Sequence, residues 1–127
     1  MTYRHDIRVR YVDCDAQRVV YNAHYLTFVD DTLDCWLREM AIDFESLGFD
    51  VMVKTATVTW HEPVRMAETL CIEAEVTRWG NTSLDVSYTG HVDVRLVFEA
   101  TVTYVVVDPD TYAPIEIPDQ LRAHLSG

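Results

Sequence analysis

At 127 residues the chain can bury one core and little more, and its 49% hydrophobic and 11% aromatic content is that of a folded protein rather than a disordered one. A net charge of −11 argues against nucleic-acid binding, whose affinity comes from clustered Lys and Arg, and disfavours anionic membrane surfaces and acidic carrier proteins. No apolar run is long enough to span a bilayer, the first residues lack an apolar leader, and Cys14, Cys35 and Cys71 are odd in number and widely spaced, so a single cytoplasmic domain over residues 1–127 is expected.

In chain order, residues 5–12 alternate as a strand, with Ile7, Val9 and Tyr11 on one face and Arg8 and Arg10 on the other. From about Asn22 to Met40, Leu26, Val29, Leu33, Trp36, Leu37 and Met40 fall at helical spacing, and Asp30, Asp31, Asp34, Arg38 and Glu39 take the wet side. Residues 43–48 predict one short helical turn ending at Gly48. Phe28, Trp36, Phe44 and Phe49 read as core aromatics. Strands follow: 51–60, rich in Val and Thr; 70–77, in strict period two; 84–89, after a turn at Gly80-Asn81; and 96–107, apolar on both faces and stopped by Asp108-Pro109. Residues 118–125 predict a last helical turn or two. The order is one strand, one long helix, then four antiparallel strands, an α+β domain whose five-stranded sheet wraps the helix. The doubly apolar late strands suggest that a second subunit covers part of the sheet.

The chemistry concentrates in residues 13–25, Asp-Cys-Asp-Ala-Gln-Arg-Val-Val-Tyr-Asn-Ala-His-Tyr. A carboxylate placed where a strand hands over to a helix N-terminus lies beside free backbone N–H groups. One corner then offers a base and an oxyanion site, the pair that acyl transfer needs.

The chain resembles the hotdog-fold acyl-CoA thioesterases, most closely their 4-hydroxybenzoyl-CoA thioesterase-like branch, over nearly its whole length. The pattern D-x-D-x-x-G-x-V-x-x-x-x-Y is met at Asp13, Asp15, Val20 and Tyr25. Residues 59–70 resemble the aromatic-x-x-Pro-x-x-x-Gly-Asp-x-Leu stretch, with Ala67 and Glu68 replacing Gly-Asp; Ser83 with Leu84, Val86 and Tyr88 resembles the third sheet element, and Val107-Asp108-Pro109 and Ile117-Pro118 the closing segment. The resemblance implies a hotdog fold, a catalytic carboxylate at Asp15, and an oxyanion site from the Tyr21 and Asn22 main-chain N–H groups. It also implies an acyl-CoA substrate held between subunits of a homodimer or homotetramer, with neither metal nor cofactor. The family's loop glycine falls at Arg18, where glycine permits close approach or positive φ. Arginine there has three readings: it pairs with Asp15, it binds an acidic acyl group, or it points outwards.

Asp15 is expected to act as a general base on water or as a nucleophile forming a mixed anhydride. Asp13 reads as structural, holding loop N–H groups. Tyr25 and Trp60 are candidates for the wall of the substrate pocket, and Arg18 for substrate binding. Glu62 and Glu68 are reserve acids, and Lys54, Arg65, Arg78 and Arg95 are the cations available to coenzyme A phosphates. None of the five histidines stands at metal-ligand spacing from another. Two alternatives remain. The first is a catalytically silent module binding an acyl thioester or a protein partner, with Arg18 neutralising Asp15. The second, ranked lower, is an acyl-thioester dehydratase or hydratase, for which neither a His-Phe-Pro loop nor an Asp…His pair is legible.

Overall fold

The computed structural model describes residues 2–42 and 44–126, with nothing described for the side chains of 44 and 45. Asp43, where the short helix is expected to begin, and the expected core role of Phe44 therefore lie outside the described residues. Five strands, β1 (Thr2–Arg8), β2 (Asp50–Trp60), β3 (Thr69–Trp79), β4 (Ser83–Val92) and β5 (Arg95–Val107), form one antiparallel sheet in the order β1-β3-β4-β5-β2. The helices are α1 (His24–Glu39), α2 (Phe44–Leu47) and α3 (Asp119–Ser126).

The long helix buries Tyr25, Phe28, Val29, Thr32, Leu33, Trp36 and Leu37 along one face, and the sheet supplies the opposing wall. On β4 the residues Leu84, Val86, Tyr88 and Val92 point inwards in strict alternation, the period-two consequence of the pleat. Gly90 occupies the remaining inward position, between Tyr88 and Val92. A Cβ there would stand 2.2 Å from the Phe98 ring, so the glycine makes room for Phe98, which in turn packs edge-on against Tyr25 at 5.0 Å. Thr32, buried on α1, returns its hydroxyl hydrogen bond to the Phe28 carbonyl at 2.8 Å. The helix ends in a left-handed cap at Ala41 (φ 56): the Ala41 N–H donates to the Arg38 carbonyl and the Ile42 N–H to Leu37. At the far end, α3 buries Leu121 and Leu125 and sets the Arg122 guanidinium over Trp79.

Two sequence expectations change. The first strand runs over Thr2–Arg8 rather than 5–12, because Tyr11–Asp13 closes into a 3-10 turn capped by the Asp13 carboxylate on the Arg10 N–H at 2.8 Å. Tyr11 consequently lies 81% exposed instead of facing the core. Leu26 also turns outwards, because the buried stripe of α1 runs through Tyr25 and Phe28. Gly48, with φ 71, ends α2 as expected.

Candidate active site

Residues 13–21 fold back on themselves as a tight hairpin. The Tyr21 N–H donates to the Asp13 carbonyl (3.1 Å), Cys14 bridges Val20, and the Asp15 N–H donates to the Val19 carbonyl (3.0 Å). The tip is closed by the Arg18 N–H on the Asp15 carbonyl (2.9 Å) and by the Gln17 N–H on Asp15 Oδ1 (2.8 Å), an Asx turn made by the acid itself. A three-residue hairpin loop of this type ends on a left-handed residue, and Arg18 supplies it with φ 67. Ala67, the other position where the family pattern has glycine, stands at φ 72. Both places thus keep the backbone shape that glycine would allow while carrying a Cβ, which costs about 1–2 kcal/mol at each. Since glycine returns part of this through the unfolded chain, the double variant R18G/A67G is expected to be more stable by about 1–2 kcal/mol in chemical denaturation.

The Asp15 carboxylate opens onto a cleft of about 590 Å³ lined by Tyr11, Val12, Cys14, Ala16, Arg18 and Met66. The exposed Tyr11, Val12 and Met66 make this wall apolar, and Arg18 brings a cation to it. No Asp15–Arg18 ion pair forms among the described residues, so the cleft holds an acid with one oxygen tied to Gln17 and a guanidinium without a carboxylate partner.

On the other side of Val19 and Val20 lies a second cleft, of about 270 Å³, holding Asn22, Tyr25 and Trp60 together with His61, Glu62 and Pro63. Trp60 Nε1 donates to the Asn22 carbonyl (3.2 Å) and its ring stands edge-on to Tyr25 at 6.5 Å, which fixes the peptide that opens α1. The N-cap, Ala23, has no side-chain cap, and the Asn22 N–H has no hydrogen-bond partner among the described residues. Tyr21 differs: its N–H is already spent on Asp13, so the expected pair of oxyanion donors reduces to Asn22. The structure therefore brings Asp15 together with Arg18, and Asn22 with Tyr25 and Trp60, with the two groups lining separate clefts.

Behind the hairpin, Asp13 is 2% exposed and accepts from the Arg10 N–H (2.8 Å), the Arg10 guanidinium (3.1 Å) and His24 Nε2 (2.9 Å). Burial alone would push its carboxyl up, but the Arg10 and His24 donors outweigh it and hold the carboxyl below its ordinary range. An ionised carboxylate only accepts, so His24 Nε2 carries the proton. This Asp–His pair was not legible in the sequence, and its acid is fully engaged in bracing the turn. The reserve acids are engaged too: Glu68 accepts from the Arg65 N–H (2.7 Å) and from Arg95 (2.7 Å), and Glu62 lies 3.6 Å from Arg95. Of the cations expected to meet phosphate, Arg78 is spent on Asp85 at 2.8 Å. Burial raises the Tyr25 phenol, which stays neutral and wall-like.

A sheet of this order folded around one helix, with a carboxylate in the loop that leads into that helix, defines the hotdog class of thioesterases. The chain belongs to the thioesterase-like superfamily, whose family model matches residues 9–125. It is 33% identical to the acyl-CoA thioester hydrolase YbgC of Escherichia coli O6:H1, over 95% of this chain and 93% of that protein. Among solved structures, a thioesterase-superfamily protein from Jannaschia sp. CCS1 superposes with a TM-score of 0.91 (24% identity, 98% of this chain and 90% of that one). Slr0204, a 1,4-dihydroxy-2-naphthoyl-CoA thioesterase from Synechocystis, does so at 0.89 (17% identity, 98% and 96%). At those identities the structural likeness speaks for the fold alone.

Proposed function

We propose that this protein hydrolyses acyl-CoA thioesters to a carboxylic acid and free coenzyme A, with Asp15 as the catalytic carboxylate and the Asn22 main-chain N–H as the oxyanion donor. The observation that carries the reading is the Asp15 side chain itself. It is held by a turn of its own making, one oxygen is bonded to Gln17, and it faces a cleft large enough for a thioester arm. In this reading the thioester reaches from the Asp15 cleft across the hairpin to Asn22, where the N-terminus of α1 offers a partial positive charge to the carbonyl oxygen as it becomes negative. The YbgC relative is an acyl-CoA thioester hydrolase by name, and its match covers 95% of this chain.

Arg18 is the substrate's anion anchor in this reading, meeting either a coenzyme A phosphate or a carboxylate on the acyl group. The silent-module alternative required Arg18 to neutralise Asp15, and the absence of an ion pair between them among the described residues removes its main support. Hydrolysis itself is tested with a panel of aliphatic, aromatic and dicarboxylic acyl-CoA substrates and a free-thiol reporter. Thiol release above the uncatalysed rate on at least one of them is expected, and none on any would reject the assignment.

Both clefts are lined by residues of the hairpin and open to solvent in one copy, and in this reading a second copy encloses them. The edge strand β2 is paired on one side only and exposes Met52 and Val53, a surface suited to a homodimer or homotetramer. We take residues 1–127 as one domain. The described residues contain no helix long and apolar enough to cross a membrane. The free, half-buried Cys14, Cys35 and Cys71 suit the reducing cytoplasm.

A further inference from the structure

We propose that His5, Asp31 and Cys35 bind a divalent transition-metal ion of the zinc class where β1 meets α1, apart from the Asp15 cleft. His5 projects from β1, while Asp31 and Cys35 stand one turn apart on α1 and so share a helix face. The three donor atoms lie within 4.8 Å of one another. His5 Nε2 is 2.8 Å from Asp31 Oδ2 and 3.9 Å from Cys35 Sγ, and Cys35 Sγ is 4.0 Å from Asp31 Oδ1.

A tetrahedral zinc ion with its usual bond lengths holds N, O and S donors about 3.4–3.6 Å apart. With Asp31 Oδ2 as the carboxylate ligand, reaching that geometry requires the His5–Asp31 contact to open by about 0.6 Å and the sulfur to close on His5 Nε2 by about 0.4 Å. Side-chain rotation at Asp31, which is half exposed, is the motion that would supply these shifts. One imidazole, one thiolate and one carboxylate select zinc or cobalt(II) over magnesium and calcium, which prefer all-oxygen shells. Three protein ligands leave a fourth position for water, and the excess of acid over base across the chain draws dications to the surface. Sequence spacing hides the site because Asp31 and Cys35 lie 26 and 30 residues from His5.

The test uses the intact protein, stripped with a chelator and titrated with cobalt(II). Expected are the intense visible bands of four-coordinate cobalt and a thiolate-to-cobalt charge-transfer band, both erased by added zinc. Loss of an outer-sphere partner already costs about tenfold in affinity, so C35S and H5Q should each weaken binding about tenfold or more, with C35S also losing the charge-transfer band. Weak six-coordinate spectra, or unchanged affinity in both variants, would overturn the site and leave only the His5–Asp31 ion pair. Should a variant fail to fold, alkylation of the unaltered protein decides. Zinc must slow modification of Cys35 about tenfold or more, measured by peptide mapping against Cys14 and Cys71 as internal controls, and equal protection of all three would also overturn it.

Discussion

Replacing Asp15 by Asn is expected to leave the fold intact and to lower turnover on the best acyl-CoA substrate by about 10²–10⁴-fold, the usual worth of an acid–base group. Asn is the informative replacement because its amide oxygen can still accept the Gln17 N–H that holds the turn. D15A would lose that bond as well, at about 1 kcal/mol of loop stability, and would mix two effects. Turnover from the free-thiol reporter and circular dichroism on the same sample separate them: an unchanged spectrum with turnover within threefold of the parent would remove Asp15 from the reaction. The route can be read as well. A single turnover in ¹⁸O-water labels the product acid alone if Asp15 activates water, whereas attack by Asp15 carries an unlabelled carboxylate oxygen into the product when water opens the anhydride at the Asp15 carbonyl.

The sheet and the long helix were legible because their periods are strong. Leu70, Ile72 and Ala74 on β3 and Leu84, Val86 and Tyr88 on β4 alternate without interruption and are all buried. The end of the first strand was not. Val9 and Tyr11 continue the alternation of Ile7, yet a side-chain bond from Asp13 to the Arg10 N–H turns the chain before Tyr11 can pair. A local hydrogen bond of that kind overrides hydrophobic pattern, and nothing in a count of apolar residues registers it.

At the site, Asp15 could be picked out from the resemblance, because its motif carries the loop with it. The proposed oxyanion donor could only be bracketed. Choosing between Tyr21 and Asn22 depends on which amide the hairpin consumes, and the Asp13 carbonyl that consumes it stands eight residues upstream. Arg18 is the reverse case. A left-handed position normally announces itself as glycine, and here the conformation is kept under a side chain that says nothing about it. Tyr11, Val12 and Met66 were missed as cleft walls for the same reason as the strand end, since their exposure follows from the 3-10 turn and the neighbouring 65–68 turn. Their one sequence signal is apolar side chains flanking the acidic motif.

The other large effect concerns Asp13, whose side chain has no exposure to solvent and accepts four hydrogen bonds, three from Arg10 and one from His24. Truncation to Ala leaves the Arg10 N–H and His24 without their acceptor, a loss of several kcal/mol if every partner were buried. The Arg10 side chain is 68% exposed, however, and water replaces much of its share. D13A is therefore expected to destabilise by about 2–3 kcal/mol in urea unfolding. D13N, which keeps an acceptor for the Arg10 N–H, should lose less. The sign of the pH dependence follows from the lowered carboxyl of the folded state. The stabilisation is fully present above the unfolded carboxyl pKa of about 3.9 and fades as pH falls through the lower folded value. The parent protein should thus lose stability faster than D13N as pH falls below about 4, and the two unfolding midpoints should converge. Because Asp13 also holds His24, the first residue of α1, hydrogen exchange at the start of that helix should quicken in D13A while β4 stays protected. Uniform quickening across the sheet would mean that the carboxylate supports the whole fold rather than the turn that leads into the Asp15 loop.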